Sequence, residues 1–183
     1  MSTVYPELDE KLIAFINRQK MFFVASAPLS ADGHVNMSPK GYDSFRIINS
    51  KRVAYLDLGG SGIETVAHAR ENGRITIMFC AFEGAALILR LYGRASVLQF
   101  NEPGFAEEVA HFPGFERARN IIFVDIERVA DSCGWGIPFY EFKGQRDQLK
   151  RWMDNRTEEE WQERRYASNA ESIDGLKGLV RRS

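Results

Sequence analysis

The sequence carries almost no net charge. Its 24 Lys and Arg residues nearly balance 25 Asp and Glu residues, so the formal net charge is −1. Proteins that bind nucleic acid or anionic membranes depend on an excess of basic groups. The balance therefore predicts neither partner, and an anionic ligand would need donors gathered locally by the fold.

The first 20 residues lack a long apolar run, because charged residues interrupt them repeatedly from Glu7 to Lys20. A signal peptide or a membrane span needs an uninterrupted apolar stretch. We therefore expect a cytoplasmic protein without a membrane partner. Cysteine is also scarce: Cys80 and Cys133 form no CxxC motif and, in a reducing compartment, are expected to be free thiols.

Histidine is equally sparse, and the spacing of His34, His68 and His111 matches no common metal-binding motif. Each is expected to be a structural or surface residue, and no metal site is predicted. Internal repeats and low-complexity segments are absent as well. The length of 183 residues fits a single domain over 1–183 with a sizeable core.

What the sequence does contain is a series of short apolar segments separated by turn residues. The first is helical, because Leu8, Leu12, Phe15 and Ile16 recur at near-helical spacing, with Pro6 in the expected first turn. Strands are predicted over 21–27, 35–40, 52–58, 75–81, 87–97 and 121–129. This order predicts a mostly β or α+β fold, an antiparallel barrel with peripheral helices.

Helices are predicted around this barrel, which covers about 20–140. A short helix follows Gly59–Gly62, a second covers 103–112, and a charged helical extension covers about 141–183. Thr157 and Glu160 have the spacing of a capping box at the start of a helix. The tail after Ser168 is polar and contains glycine, so it is expected to be loosely ordered.

The strand over 35–40 alternates in polarity. Asn36, Ser38 and Lys40 share one face, and Val35, Met37 and Pro39 share the other. Three polar groups in a row could follow an extended ligand. On pattern alone, a solvated strand face is the more common explanation, because half-exposed strands are frequent in antiparallel sheets.

The turn Gly59–Thr65 is rich in glycine and precedes a helix. Ser61 and Glu64 have capping-box spacing, and a helix N-terminus offers unpaired N–H groups and a positive dipole end. Such a turn can hold a phosphate, helped by the hydroxyl groups of Ser61 and Thr65. An ordinary capped helix explains the same pattern equally well, and both interpretations stay open.

Two further features could concern a ligand. Gly134 and Gly136 bracket Trp135, whose ring could stack on a flat ligand, although a core-filling role is the more common explanation. Arg90 lies among apolar residues of a predicted strand. Because an unpaired buried guanidinium is costly, it should face solvent, an acidic partner or an anionic ligand.

The order of these features resembles that of pyridoxamine 5'-phosphate oxidase-like proteins over roughly residues 8–140. The resemblance is carried by GHVNMSPKG at 33–41, VAYLDL at 53–58, ENGRI at 71–75, LRLYGRA at 89–95 and SCGWGIP at 132–138. It implies a six-stranded FMN-binding split barrel. It further implies a homodimer with FMN at the subunit interface, acting as an FMN-dependent oxidoreductase on a small-molecule substrate.

The resemblance also implies which residues hold the flavin. They are Val35, Asn36, Met37, Ser38, Lys40, Tyr55, Leu56, Ser61, Gly62, Glu64, Thr65, Arg90 and Trp135. Lys40 would place a positive charge beside the flavin ring, and Trp135 would reach it from the partner subunit. The oxidase has a basic pair where this chain has Glu64 and Thr65. Phosphate binding would then rely on backbone N–H groups and hydroxyls, with Lys40 or Arg90.

A second departure concerns the substrate. The oxidase ends in a segment bearing Arg and His that recognises the substrate phosphate, and the tail 178–183 has no such pattern. Pyridoxamine 5'-phosphate is therefore not the expected substrate. No general acid or base stands out, so catalytic residues stay unassigned. Two alternatives remain: a non-catalytic flavin-binding or redox-sensing module, and a haem-binding split barrel that would use His34, His68 or His111.

Overall fold

The computed structural model describes residues 2–182. Met1 and Ser183, the two ends of the predicted single domain, lie outside the described residues. The strands are β1 (Val4–Tyr5), β2 (Phe22–Ser26), β3 (Asn36–Lys40), β4 (Phe45–Asn49), β5 (Arg52–Asp57), β6 (Arg74–Cys80), β7 (Ile88–Gln99) and β8 (Asn120–Ser132). The helices are α1 (Glu10–Arg18), α2 (Glu64–Glu71), α3 (Phe105–Val109), α4 (Gln148–Asp154) and α5 (Glu158–Asn169).

All eight strands join one antiparallel sheet in the order β3-β2-β6-β7-β8-β5-β4, with β1 paired to β8. The two longest strands, β7 and β8, lie at its centre, with Leu91 opposite Val129. The sheet and its peripheral helices confirm the predicted antiparallel α+β class. Strands β3 and β5 lie on either side of the sheet centre and are not paired with each other. Polar groups of both strands nevertheless border one pocket.

Each of the six predicted strands is present, but the sheet has eight strands rather than six. The two missed strands carry weak signals. Strand β1 has only two residues, and the half-buried and exposed residues of β4 do not alternate regularly. Strand β4 is held by its pairing with β5, in which Phe45 lies opposite Tyr55. Such a partner cannot be read from a five-residue segment alone.

The helices differ from prediction mainly at their starts. Helix α1 does not begin near Pro6, because the Asp9 carboxylate accepts the Leu12 N–H at 2.8 Å and caps the helix there. Helix α3 is shorter than 103–112. The capping box of α5 is confirmed, with both the Thr157 and the Glu160 side-chain bonds formed. Among residues 2–182, no helix combines the length and the apolar character that crossing a membrane requires.

Two hydrophobic clusters lie on either side of strand β5. Tyr55 belongs to the larger cluster with Phe22 and Phe79, whereas its neighbour Leu56 belongs to the smaller cluster with Phe105. Successive side chains of a strand point to opposite faces, so β5 serves both clusters. The two cysteines are free, as predicted, with Cys80 buried and Cys133 exposed.

The segment after Ser168 is held in place, so the expectation of a loosely ordered tail is wrong. Asn169, Ser172 and Leu179 are buried. The Leu179 N–H donates to the Asn169 carbonyl at 2.8 Å, and the Val180 N–H donates to Gln99 Oε1 at 2.9 Å. The ordered conformation could not be predicted from the sequence, because the tail is held by residues such as Gln99 that are distant along the chain.

Candidate functional site

The polar face of β3 lies against the first turn of α2. Asn36 Nδ2 donates to Thr65 Oγ1 at 2.8 Å, and Ser38 Oγ donates to Asn36 Oδ1 at 3.3 Å. The predicted alternation of β3 is confirmed, because Asn36, Ser38 and Lys40 are partly buried while the residues between them are exposed. This face is therefore one wall of a pocket rather than a solvated surface.

The N-terminus of α2 is not capped by a side chain. Ile63 occupies the N-cap position and makes no side-chain hydrogen bond to the first turn. The predicted capping box of Ser61 and Glu64 is wrong, because Glu64 is itself the first helical residue and accepts the Ile173 N–H at 3.4 Å. The first N–H groups of α2 thus lack the side-chain partner that most helices provide.

These two features open onto one small pocket of about 120 Å³. Strand β3 lines it with its three polar side chains, α2 with its first turn, and the preceding loop with its glycines. The predicted site residues that meet there are Asn36, Ser38, Lys40, Gly62, Glu64 and Thr65. Asp57 and Arg119, which the sequence interpretation did not assign, complete the lining.

Asp57 and Arg119 form a buried ion pair beneath the pocket. Arg119 Nε donates to Asp57 Oδ2 at 2.6 Å, and Nη2 donates to Oδ1 at 3.1 Å, while Asn120 Nδ2 donates to Oδ2 at 2.9 Å. Burial alone would raise the pKa of Asp57, but the charges of Arg119 and Lys40 and the hydrogen bonds outweigh it and lower that pKa to about 2. Asp57 is therefore ionised at neutral pH.

Lys40 is the accessible cation of this cluster. Its Nζ lies 3.8 Å from Asp57 Oδ1, and about a quarter of its side chain (24%) is exposed. Arg119 also supports the loop, since its Nη2 donates to the Gly62 carbonyl at 2.5 Å. With Asp57 neutralised by Arg119, Lys40 leaves the cluster with one net positive charge, opposed across the pocket by Glu64.

Comparison with known proteins identifies the family of the chain. Residues 8–133 match the family model described as pyridoxamine 5'-phosphate oxidase. A curated relative, the pyridoxamine 5'-phosphate oxidase family protein ustO of Aspergillus flavus, is 37% identical over 98% of this chain and 78% of its own. The chain belongs to the pyridoxamine 5'-phosphate oxidase family.

Solved structures share the fold of this family member at low identity. HupZ of Group A Streptococcus is 24% identical, with a TM-score of 0.51 over 67% of this chain and 91% of its own. A protein of Lactobacillus delbrueckii described as a candidate pyridoxamine 5'-phosphate oxidase is 16% identical, with a TM-score of 0.50 over 68% and 94%. At these identities the likeness concerns the split-barrel fold alone.

Several residues that the family resemblance assigned to the flavin lie outside the pocket. The side chains of Tyr55 and Leu56 are buried in the two clusters, so only their backbone could meet a ligand. The Tyr55 hydroxyl has no hydrogen-bond partner, and burial raises its pKa well above the usual range. Val35 and Met37 are exposed on the other face of β3, 74% and 64% respectively.

Three further predicted site residues also lie outside this pocket. Ser61 lines a different pocket, on the side of the loop that faces α4 and α5. Arg90 donates to Ser132 Oγ at 3.1 Å and does not line this pocket, so its part in phosphate binding stays a prediction. Trp135 is 86% exposed, which contradicts the core-filling explanation of its loop.

Asp57 and Arg119 escaped the sequence interpretation because they are 62 residues apart. A signal for each does exist. Asp57 is a charged residue inside the apolar segment VAYLDL, and Arg119 immediately precedes β8, whose apolar run begins at Ile121. A buried charge in a strand requires a partner. The sequence could have indicated that partners were needed, but not which residues would meet.

The three histidines occupy separate environments. His34 Nδ1 lies 2.6 Å from Asp174 Oδ1 on the surface, and buried His68 contacts Ser26 Oγ through Nδ1 at 2.9 Å, with burial lowering its pKa. His111 borders an open groove of about 1020 Å³ between β4 and α3, apart from the pocket. Within residues 2–182, no group of three or more His, Cys, Asp and Glu side chains could hold a metal ion.

Proposed function

We propose that this family member is a cytoplasmic FMN-dependent oxidoreductase that acts as a homodimer on a small molecule other than pyridoxamine 5'-phosphate. One observation carries the proposal: the uncapped N-terminus of α2 and the polar face of β3 border the same pocket. The two free cysteines are consistent with a reducing compartment. Family membership supports the choice of a flavin as the ligand.

The phosphate would be held at the α2 end of the pocket. Helix N-termini bind phosphate because their N–H groups are unpaired and the helix dipole favours negative charge. Thr65 contributes a hydroxyl, and Asn36 fixes that hydroxyl through a 2.8 Å bond. The donors present fit a phosphate group, although the carboxylate of Glu64 in place of a basic residue weakens the site.

The isoalloxazine ring would lie toward the Lys40 end. At a rise of roughly 3.3 Å per residue, Asn36 and Lys40 are about 13 Å apart along β3, enough for the ribityl chain to lie between phosphate and ring. Bound FMN would supply hydride acceptance. Lys40, positioned by Asp57, would supply the positive charge that stabilises the reduced, anionic form.

A homodimer is supported by apolar side chains exposed after β8. Trp135 is 86%, Phe139 80% and Tyr140 63% exposed, close together in the chain. Exposed apolar clusters of this kind are typical of protein interfaces. A second subunit covering them could bring Trp135 to the open side of the flavin, as the family resemblance implies.

The arrangement of the tail supports a substrate other than pyridoxamine 5'-phosphate. Arg181 forms an ion pair with Glu163 at 2.7 Å, and Arg182 pairs with Glu102. These arginines are thus engaged within the chain rather than presented to a substrate phosphate.

The test is FMN retention, measured by visible absorption of the purified protein after mixing with FMN and desalting. Retained flavin bands are expected for the wild type. Thr65→Ala should weaken FMN binding roughly tenfold to a hundredfold, because a hydrogen bond to a charged group is lost. Ser61→Ala is the matched control and should leave affinity unchanged, since Ser61 lines the other pocket.

A second substitution tests whether the negative charge of Glu64 weakens phosphate binding. Glu64→Gln removes the carboxylate that opposes the phosphate, so FMN should bind more tightly than to the wild type. Glu71→Gln, at the other end of α2, is the matched control and should have little effect. The absence of retained flavin in every variant, Glu64→Gln included, would overturn the flavin assignment. Haem would then be the ligand to test.

The second candidate is a non-catalytic flavin-binding or redox-sensing module. It is favoured by the chemistry of the pocket, whose carboxylates are Asp57, already bonded to Arg119 and Asn120, and Glu64. Asp57, whose pKa is lowered to about 2, is ionised at neutral pH and has no proton to donate. Turnover of a reduced nicotinamide with oxygen or a quinone by the FMN-loaded protein would favour the oxidoreductase, and flavin retention without turnover would favour the module.

A further inference from the structure

The Gly59–Ser61 backbone borders a second pocket, between this loop and the helices α4 and α5. It has a volume of about 310 Å³, at the lower end of small-molecule sites. Gly59 and Gly60 line both pockets, so a single stretch of backbone separates them. Only this loop of the second pocket lies within the span that matches the family model, because the other wall comes from residues after 133.

A buried arginine without a carboxylate partner lines this pocket. Arg165 is only 3% exposed, and among residues 2–182 it forms no ion pair of its own, although the charge of Glu158, which pairs with Arg117, favours its charged form. Its Nη2 donates to the carbonyls of Arg117 and Ala118, and its guanidinium lies 4.3 Å from the Phe100 ring centroid, while its Nε has no partner. Burial lowers the pKa of Arg165 to about 10, so it remains charged at neutral pH. The carbonyls and rings offset part of the cost of this buried charge, and an anion at the unpartnered Nε would offset more of it.

Arg164 adds a second positive charge to the lining, and it makes no ion pair with a described carboxylate either. The neighbouring Ser61 and Ser168 line the pocket with hydroxyl-bearing residues, and no acidic residue takes part in the lining. The pocket therefore has a strong preference for negative charge, unlike the flavin pocket, in which Glu64 opposes an anion.

Two tryptophans give this pocket an aromatic wall. Trp152 and Trp161 pack edge to face with ring centroids 5.0 Å apart and planes at 78°. Trp161 is fully buried, and Trp152 is partly exposed. Arg165 lies over the Trp161 ring, 4.6 Å from its centroid, and Arg164 lies 5.1 Å from the centroid of Trp152. A flat ring entering the pocket would therefore meet the exposed part of Trp152, with the arginines beside it.

We propose that this pocket binds an aromatic anion, a small molecule in which a carboxylate or phosphate group is joined to a flat ring. Arg165 and Arg164 hold the charged group, since guanidinium groups match the geometry of both anions. The partly exposed Trp152 contacts the ring, and buried Trp161 packs edge to face against Trp152. This site is separate from the flavin pocket and does not depend on FMN being the cofactor.

The probes are benzoate and phenyl phosphate, with benzamide as the neutral analogue of benzoate. Binding is followed by the fluorescence of the tryptophans, two of which line the pocket. Both anions are expected to change the fluorescence saturably, and benzamide is not. The head group that binds more tightly identifies the chemistry of the natural ligand, and either preference supports the site.

The variant Arg164→Gln should weaken binding of the preferred probe roughly tenfold, because one charge-assisted contact is lost. Arg181→Gln is the matched control, an exposed arginine near α5 that is already paired with Glu163, and it should bind like the wild type. Equal responses to benzoate and benzamide, or unchanged binding by Arg164→Gln, would overturn the proposal and leave Arg165 as an anchor of α5. FMN retention in the same preparations reports on the other pocket independently.

Discussion

Asp57 is the one residue that contacts several walls of the pocket between β3 and α2. It accepts hydrogen bonds from Arg119 and Asn120 and attracts Lys40, while Arg119 in turn donates to the carbonyls of Gly60 and Gly62. One carboxylate thus fixes both a cation that faces the ligand and the loop that precedes α2. Removing its charge should therefore lower both the stability of the fold and the affinity for a ligand.

The first prediction at this scale concerns acid stability. The pKa of Asp57 is lowered from 3.8 to about 2, so the folded protein binds fewer protons than the unfolded chain between these values. The stabilisation by Asp57 is therefore complete above about pH 4 and is lost as the pH falls through about 2. Denaturant unfolding across this range should show stability falling with acidification, and the fall should be smaller in Asp57→Asn, which lacks this carboxyl group.

At neutral pH, Asp57→Asn should destabilise the protein by about 3–5 kcal/mol, because Arg119 is left buried without a carboxylate. Asp125→Asn serves as control, since Asp125 pairs with Arg52 on the exposed surface and should cost less than about 1 kcal/mol. Equal losses in the two variants would contradict the assignment of a buried pair.

At the scale of elements, helix α5 illustrates how local sequence chemistry supports a distant site. Its N-terminus is held by the capping box, in which Thr157 Oγ1 accepts the Glu160 N–H at 3.2 Å and Glu160 Oε2 accepts the Thr157 N–H at 3.0 Å. The helix then buries Trp161 and Arg165, which line the second pocket. The cap therefore contributes to the order of that pocket.

Thr157→Ala should lower the free energy of unfolding by about 0.5–2 kcal/mol, because one N–H of the first turn loses its partner. Gln162→Ala, an exposed change on the same helix, should stay within about 0.5 kcal/mol of the wild type. Urea unfolding followed by tryptophan fluorescence measures both. A Thr157→Ala protein as stable as the Gln162→Ala protein would show that tertiary contacts alone fix the helix start.

The elements also show where sequence reasoning succeeded. The α5 cap, the stripe of α1 and the alternation of β3 were predictable, because each depends on residues close in sequence. Strand β4 and the ordered tail were not, because they depend on Tyr55 and Gln99, which lie in other parts of the chain. The same division applies to the site, where the β3 face and the Gly62–Thr65 turn were found and the Asp57–Arg119 pair was missed.

At the scale of the whole molecule, the exposed aromatics after β8 are the strongest sign of a partner surface. Phe139 and Tyr140 lie in a stretch without secondary structure, and Tyr140 packs against Phe82 with ring centroids 5.4 Å apart. The stretch is thus anchored on its own subunit while presenting apolar surface outward. A second copy of the chain is the occupant that the proposed function requires.

Light scattering coupled to size exclusion should give a mass twice the 20.9 kDa of one chain. Phe139→Ser should shift a dilution series toward the monomer and reduce flavin retention in parallel, because the interface would be weakened. Ile173→Ser, which changes an exposed apolar residue in the tail, is the control and should remain dimeric. A wild-type monomer that retains FMN would rule out the interface site.

The Gly59–Ser61 loop has a consequence for synthesis of the chain on the ribosome. The side chain of Asn169 reaches the Gly60 carbonyl at 3.2 Å across 109 residues of sequence, and Arg119 reaches the same carbonyl at 3.4 Å across 59. At roughly 5–20 residues per second, translation takes about 5–20 s to supply Asn169 after the loop has been made. During that interval the loop that both pockets share has only its Arg119 contact, so its final conformation is completed after the last strand of the barrel has been made.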